Sequence, residues 1–304
     1  MKSSKQNRNF GICCSLSAGI LWGIVPVYIY IIDVEDPYEI VAHRSLWSAA
    51  LLFLICWIGG QLGDVWATLK TQRNFYNFFL TAGLLSLNWG IYVYSVQTGQ
   101  VVAAALGYFI YPLCTVMLGI IVLRETFDRW AGVAIGLVCF GVAAKAMMLM
   151  DIPWVSLALA GTFSLYAVLR KKMGFEPIQG LFVETMLVLP FALAFLIWMA
   201  MNGRGLFFGG GLTNVLLAIF AGIITVVPLI FFHKGNQLLS LTMASLLFYS
   251  NPTAQLLLGV AAFSEPFLST ELIAFGLIWT GIAVYFITRR RVASRMINGS
   301  KKRS

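Results

Sequence analysis

Two short strings place charge where an apolar chain has little reason to put it. In YEIVAHRSLWS, Glu39, His43 and Arg44 fall within two helical turns, and Glu39 and His43, four apart, share one face. In LFVETMLVLP, Glu184 stands alone among apolar neighbours. A guanidinium held away from water can anchor an anionic or carbonyl group. A carboxylate there can neutralise such a cation, attract a cationic group or take up a proton. The same two charges, Arg44 and Glu184, could instead form a structural ion pair. His43 is either a group that titrates near neutral pH beside a cavity or a hydrogen-bonded core residue. Glu39 is expected at the membrane interface.

Other residues fit the same frame. Asn88 and Trp89 sit mid-segment in SLNWGIYVYS, where an asparagine hydrogen-bonds another helix or a ligand. Tyr108 and Tyr111 in LGYFIYP match Phe248, Tyr249 and Asn251 in LLFYSNP, each set just ahead of a proline. Pro112 and Pro252 each remove a helix hydrogen bond and free a carbonyl one turn earlier. Kinked helices of this kind could line a cavity for a partly apolar solute, or their rings could pack on neighbours.

The elements that must position these groups are membrane spans. The 304 residues are 60% hydrophobic and 11% charged, where a soluble domain carries about a quarter charged residues. Too little polar surface exists to cover a water-soluble globule. In lipid the backbone must satisfy itself as helices, each needing about 20 apolar residues. Candidate spans cover 10–32, 38–58, 74–97, 101–123, 130–150, 152–170, 178–201, 213–233, 238–263 and 270–288. Basic residues gather on the cytoplasmic side of membrane proteins. Both tails are basic, and so are the alternate loops at Lys70/Arg73, Arg124/Arg129, Arg170/Lys171/Lys172 and Lys234. The expectation is an all-α integral membrane protein of ten transmembrane helices, with both termini cytoplasmic. At about 1.5 Å per residue, Arg44 would lie ~10 Å below the outer surface and Glu184 a similar depth above the inner one. Both are expected to face one central cavity, and direct pairing needs long side chains reaching toward each other, or tilted helices.

The chain also repeats itself. Shifted by 140 residues, 104–143 falls on 244–283 without a gap, with twelve identities in forty positions that include Pro112/Pro252, Glu125/Glu265 and Phe127/Phe267. Apolar composition inflates matches among Leu and Ala, but not among Pro, Glu and Phe in one register. The same offset pairs Asp36-Pro37 with Glu176-Pro177, and Arg44 with Glu184. Five spans per half is an odd number, so the second half (151–304) enters the membrane inverted relative to the first (1–150). In transporters that architecture puts a solute site where the halves meet. Glu125 and Glu265, at span ends, read as caps or loop anchors. Glycines such as Gly107, Gly119, Gly136 and Gly276 read as points of close helix approach.

Several classes are disfavoured. The net charge of +9 follows from topology and contact with anionic headgroups rather than nucleic-acid binding. No phosphate-binding loop, zinc-peptidase motif or serine-nucleophile elbow is present, so no ATP hydrolysis, catalysis, metal or cofactor is expected. Five cysteines lack disulfide or metal spacing and read as packing residues.

The strings AHRSLWS, NWGIYVYSV, LGYFIYPL running into LRETF, ETMLVLP and GIITVVPL resemble the RarD proteins, in the EamA branch of the drug/metabolite transporter superfamily. The likeness runs over nearly the full chain. It implies ten spans from a duplicated five-span unit in a bacterial cytoplasmic membrane, and secondary export of small metabolites or drug-like compounds. RarD proteins commonly carry chloramphenicol-sensitivity or chloramphenicol-resistance labels, which do not establish a solute. Where the family places Gly before the Glu that ends the fourth span, this chain has Arg124. The leading expectation is an alternating-access exporter of small amphiphilic or amino-acid-like solutes, with protons as a candidate coupling ion. The alternatives are a non-transporting membrane scaffold or receptor subunit, and a membrane enzyme acting on lipid or polyprenyl carriers.

Overall fold

A computed structural model describes residues 2–32, 36–98, 101–125, 129–147, 154–205, 211–262, 272–273, 275–285 and 287. The described residues form helices and no strand. In chain order these are α1 (Lys2–Ile31), α2 (Pro37–Ile58), α3 (Leu62–Lys70), α4 (Gln72–Gln97), α5 (Val101–Leu123), α6 (Arg129–Ala146) and α7 (Trp154–Met173). They continue with α8 (Pro177–Met201), α9 (Gly211–Leu238), α10 (Leu241–Leu247), α11 (Ser250–Ala262) and α12 (Phe275–Tyr285). Five helices, α1, α2, α5, α8 and α9, contain segments long and apolar enough to cross a bilayer. Others are shorter or more polar: α4 carries Asn74, Asn77 and Asn88, and α7 ends in Arg170-Lys171-Lys172.

The acid–proline pairs of the repeat are helix starts. Pro37 and Pro177 each open a helix, where a missing N–H costs nothing, behind Asp36 and Glu176 at the preceding position. Asp36 also accepts the Tyr38 N–H at 2.8 Å. Two features depart from the expected spans. The stretch read as an inner loop after span two contains α3, which buries Val65 and exposes Trp66. The ninth span is not one kinked helix but two pieces. It stops at Leu247, turns through Phe248 and Tyr249, and resumes at Ser250. The Phe248 carbonyl that Pro252 cannot satisfy accepts the Asn251 N–H at 2.9 Å instead. Its counterpart α5 runs through Pro112 unbroken.

Glu125 shows why a carboxylate belongs after α5. Its oxygens accept the N–H groups of Leu241 (2.6 Å) and Thr242 (3.2 Å) at the start of α10, and Lys171 Nζ lies at 3.2 Å. Glu125 thus anchors the broken span from outside, beside Ser240 as its N-cap. Burial alone would raise its pKa, but the two N–H groups and the Lys171 ammonium outweigh burial and hold it below the usual carboxylate range. With the folded value depressed, the stabilisation is fully present above the unfolded pKa of about 4.3 and is lost as pH falls through the folded value. Glu125→Gln should cost about 1.5–3 kcal/mol at neutral pH and remove that component of acid sensitivity. Melting curves of the two proteins from neutral pH downward check this, and parallel curves would refute it. Glu265 lies outside the described residues.

Arg124 precedes this anchor at φ 53, and the Glu125 N–H reaches back to the Gly119 carbonyl at 3.2 Å. The left-handed region costs a non-glycine residue about 1–2 kcal/mol, which explains why a glycine fits here. Arg124→Gly is therefore expected to stabilise the protein by about 1 kcal/mol, read as a higher melting midpoint. A lower midpoint would mean that the arginine side chain contributes more than its backbone costs.

Packing interlocks the two halves. α1 lies against α9 and α11, while α7 lies against α4 and α5; α2 packs on both α8 and α9. Small residues permit these approaches. A Cβ on Gly19 would collide with Ser250, and one on Gly23 with Ala254, so a Gly-x-x-x-Gly edge of α1 meets a Ser-x-x-x-Ala edge of α11. A Cβ on Gly222 would lie 2.6 Å from the Trp47 backbone. Of the glycines read from sequence, Gly107 and Gly119 do face neighbouring helices closely, whereas Gly136 and Gly276 face open space. Cys14 and Cys56 are buried and free; Cys13 and Cys139 are free and exposed.

Candidate functional site

The crossing of α2, α4, α8 and α9 encloses a cavity of about 90 Å³. Arg44 and Ser48 enter its lining from α2, Ser86 and Trp89 from α4, Glu184 and Thr185 from α8, and Thr225 from α9. Arg44 is 9% exposed, its guanidinium carbon 3.2 Å from the centre of the Trp89 ring. The ring face stabilises a desolvated cation. Nε and Nη1 of Arg44 are buried with no hydrogen-bond partner among the described residues. Each such donor costs about 1–3 kcal/mol, so the fold holds hydrogen-bonding capacity in reserve at this wall.

Glu184 lines the same cavity but is committed elsewhere. Its Oε1 lies 3.1 Å from Nε of Arg170, both side chains almost fully buried. The pair is close but poorly aligned as a hydrogen bond, since both atoms lack one. Its Oε2 accepts the Tyr166 hydroxyl at 3.1 Å, and that hydroxyl also meets His233 Nε2 at 2.8 Å. Gly180 makes room: a Cβ there would overlap the Arg170 guanidinium. α7, α8 and α9 are thereby tied together by one buried polar chain. The expectation that Arg170 serves as an inner-surface charge is corrected; it is a buried partner of Glu184.

A second, smaller cavity of about 40 Å³ also has Trp89 in its lining, with Trp22, Asn88, Tyr92, Tyr108, Phe248 and Asn251 among others. Asn88 donates its amide to the Leu159 carbonyl and Thr162 hydroxyl, both at 2.9 Å, so it ties α4 to α7 while bordering the cavity. Asn251 accepts the Gln255 amide at 2.9 Å. Tyr111 and Tyr249 border neither cavity. Tyr111 is packed among Phe163 and Phe248, at ring distances of 4.9 and 5.1 Å. Tyr249 is buried and donates to the Phe109 carbonyl at 2.8 Å. In this conformation both are held by packing and hydrogen bonding. His43 is buried 3.4 Å from Glu39, outside the cavity lining. Glu39, in the first turn of α2, is 2% exposed and lies beneath Gly205.

Arg170, Tyr166, His233 and Trp22 escaped the sequence reading. Arg170 opens a basic run that resembles a headgroup-facing end, and only its i, i+4 relation to Tyr166 hinted otherwise. His233, one of two histidines in the chain, follows an apolar string and was the legible signal.

Comparisons with known proteins place the chain in a family and a fold. Residues 9–145 match the model of the EamA-like transporter family. An uncharacterized transporter of Vibrio cholerae is 32% identical over 94% of this chain and 95% of its own. Protein RarD of Streptomyces exfoliatus is 32% identical, covering 97% of this chain and 93% of its own. Protein RarD of Escherichia coli is 31% identical, covering 95% and 99%. A solved crystal structure shares the fold with a TM-score of 0.72 at 18% identity, over 92% of this chain and 98% of that one.

Proposed function

Because the chain belongs to the RarD family of EamA-like transporters, in the drug/metabolite transporter superfamily, we propose that it is a secondary exporter of small amphiphilic or amino-acid-like solutes. It crosses the bacterial cytoplasmic membrane ten times, as two inverted five-span repeats (1–150 and 151–304) with both termini inside. Two observations support the repeat. Each half's first helix docks on the other half in equivalent ways, α1 on α9 and α11, α7 on α4 and α5. Tyr249 hydrogen-bonds position 109, which is its own repeat equivalent, as residues on a pseudo-two-fold axis can.

The observation that carries the functional reading is Arg44, a buried cation stacked on Trp89 with two donors unused, facing a cavity between the repeats. It anchors the anionic or carbonyl group of a solute, while the aromatic wall around Trp22, Tyr108 and Phe248 takes the apolar part. Cavities of about 90 and 40 Å³ are smaller than the ~300 Å³ that drug-sized ligands need. The described conformation is then a closed one, and transport opens the site alternately to each side. Glu184 holds the closed state through Arg170 and is the candidate proton acceptor during opening.

The test is a thermal-stability screen of purified protein against amino acids and amphiphilic antibiotics, since a bound ligand raises apparent stability. Hits are then followed by counterflow in sealed proteoliposomes. Saturable flux that disappears in Arg44→Gln supports the reading. Binding without flux would favour a receptor subunit instead, and flux indifferent to a collapsed pH gradient would leave a facilitator without proton coupling.

A further inference from the structure

The largest of the described cavities lies away from the central site, where α4 begins and α7 ends. These helices pack on each other, and a cavity of about 330 Å³ opens between Arg73, Asn74 and Asn77 of α4 and Lys172 of α7. Leu169 and Phe175 contribute to an apolar floor. Asn74 and Asn77 are three apart, and Arg73 and Asn77 four apart, so all three project from neighbouring faces of the first two turns of α4. Among the described residues no acidic side chain lines this cavity, in contrast to the central one, which holds charges of both signs. Glu176, the carboxylate next along the chain, is 3.5 Å from Lys234.

We infer that this cavity binds a phosphate-bearing anion, with Arg73 and Lys172 as the charge partners and the two asparagines as neutral donors. The α4 N-terminus adds partial positive charge, and Lys172, in the last turn of α7, offsets the negative end of that helix. In the proposed ten-span arrangement these helix ends lie at headgroup depth, where basic pockets between helices take anionic lipid headgroups. The apolar floor suits the glycerol and first acyl carbons of a phospholipid. A soluble phosphate ester would use the same polar atoms without the floor. This inference is independent of the transport reading, since occupancy requires no flux.

The experiment uses the full chain in nonionic detergent, melted with phosphatidylglycerol, with phosphatidylcholine, or with inorganic phosphate. Phosphatidylglycerol is expected to raise the melting midpoint by about 3 °C, as saturation at roughly ten times the dissociation constant gives for a protein of this size. Phosphatidylcholine should not. Arg73→Gln/Lys172→Gln should lose at least half of the rise with an unchanged midpoint in lipid-free detergent, because both side chains are exposed. Arg8→Gln, a basic exposed residue outside the cavity, should keep the full rise. A rise with inorganic phosphate that the double variant loses assigns the site to soluble phosphate esters. An equal rise in the double variant, an equal loss in Arg8→Gln, or no rise with either probe overturns the proposal.

Discussion

Replacing Arg170 by methionine strands the Glu184 carboxylate in the interior, and the protein should lose about 3–5 kcal/mol of stability. The mechanism is desolvation without compensation. Both side chains of the pair are buried to within 2%, so neither can turn to water when its partner is removed. The Tyr166 hydroxyl that remains on Glu184 is shared with His233. Arg170→Met/Glu184→Leu should recover most of the loss, because an ion pair replaced by apolar groups of similar volume is often neutral. Melting midpoints of the two single variants and the double variant form the cycle. Additive losses would show that the two residues are independent and that the polar chain across α7, α8 and α9 does not hold those helices together.

Arg44→Gln should do the reverse. Nε and Nη1 of Arg44 have no described hydrogen-bond partner to lose, so stability should stay within about 1 kcal/mol of the parent or rise, as it often does when a binding group is removed. Solute affinity should fall by roughly 10- to 150-fold, the equivalent of one charge-assisted hydrogen bond of about 1.5–3 kcal/mol. Arg44→Lys should not restore it, since an ammonium neither stacks flat on Trp89 nor presents a planar fork. Ligand-induced melting shifts and counterflow report both quantities. Two buried arginines therefore separate by readout: one whose loss unfolds, one whose loss silences. If Arg44→Gln unfolded the protein while a weakly folded remnant still transported, the assignment of roles would be reversed.

The difference between these arginines was invisible along the chain. Arg44 drew notice because it interrupts an apolar segment. Arg170 sits in a run of three basic residues at a helix end, and positive-inside logic accounts for such a run without burial. Only the approach of α8, with Gly180 leaving space for a guanidinium, turns Arg170 inward. The broken ninth span shows the same limit. Pro112 and Pro252 are matched in sequence, yet α5 continues and its counterpart splits into α10 and α11. A proline removes one hydrogen bond in either case, and the surroundings decide whether the helix bends or stops. The anchoring of α10 by Glu125, 116 residues away in sequence, is one such surrounding.

Composition and periodicity by themselves determined the helical class, the apolar character of the spans and the 140-residue self-similarity. These follow from local physics: hydrocarbon tolerates no unpaired backbone, and helix starts and prolines are marked by residue type along the chain. The acidic and basic residues placed in apolar segments also marked the neighbourhood of the central cavity. Tertiary structure alone decided the partners. It gave Glu184 to Arg170 rather than Arg44, packed Tyr111 and Tyr249 among neighbours, and set Trp89 in the lining of two cavities. Pairing depends on the relative rotation and depth of helices far apart in sequence, and a shift of one residue turns a side chain by about 100°. No pattern within a single span records that.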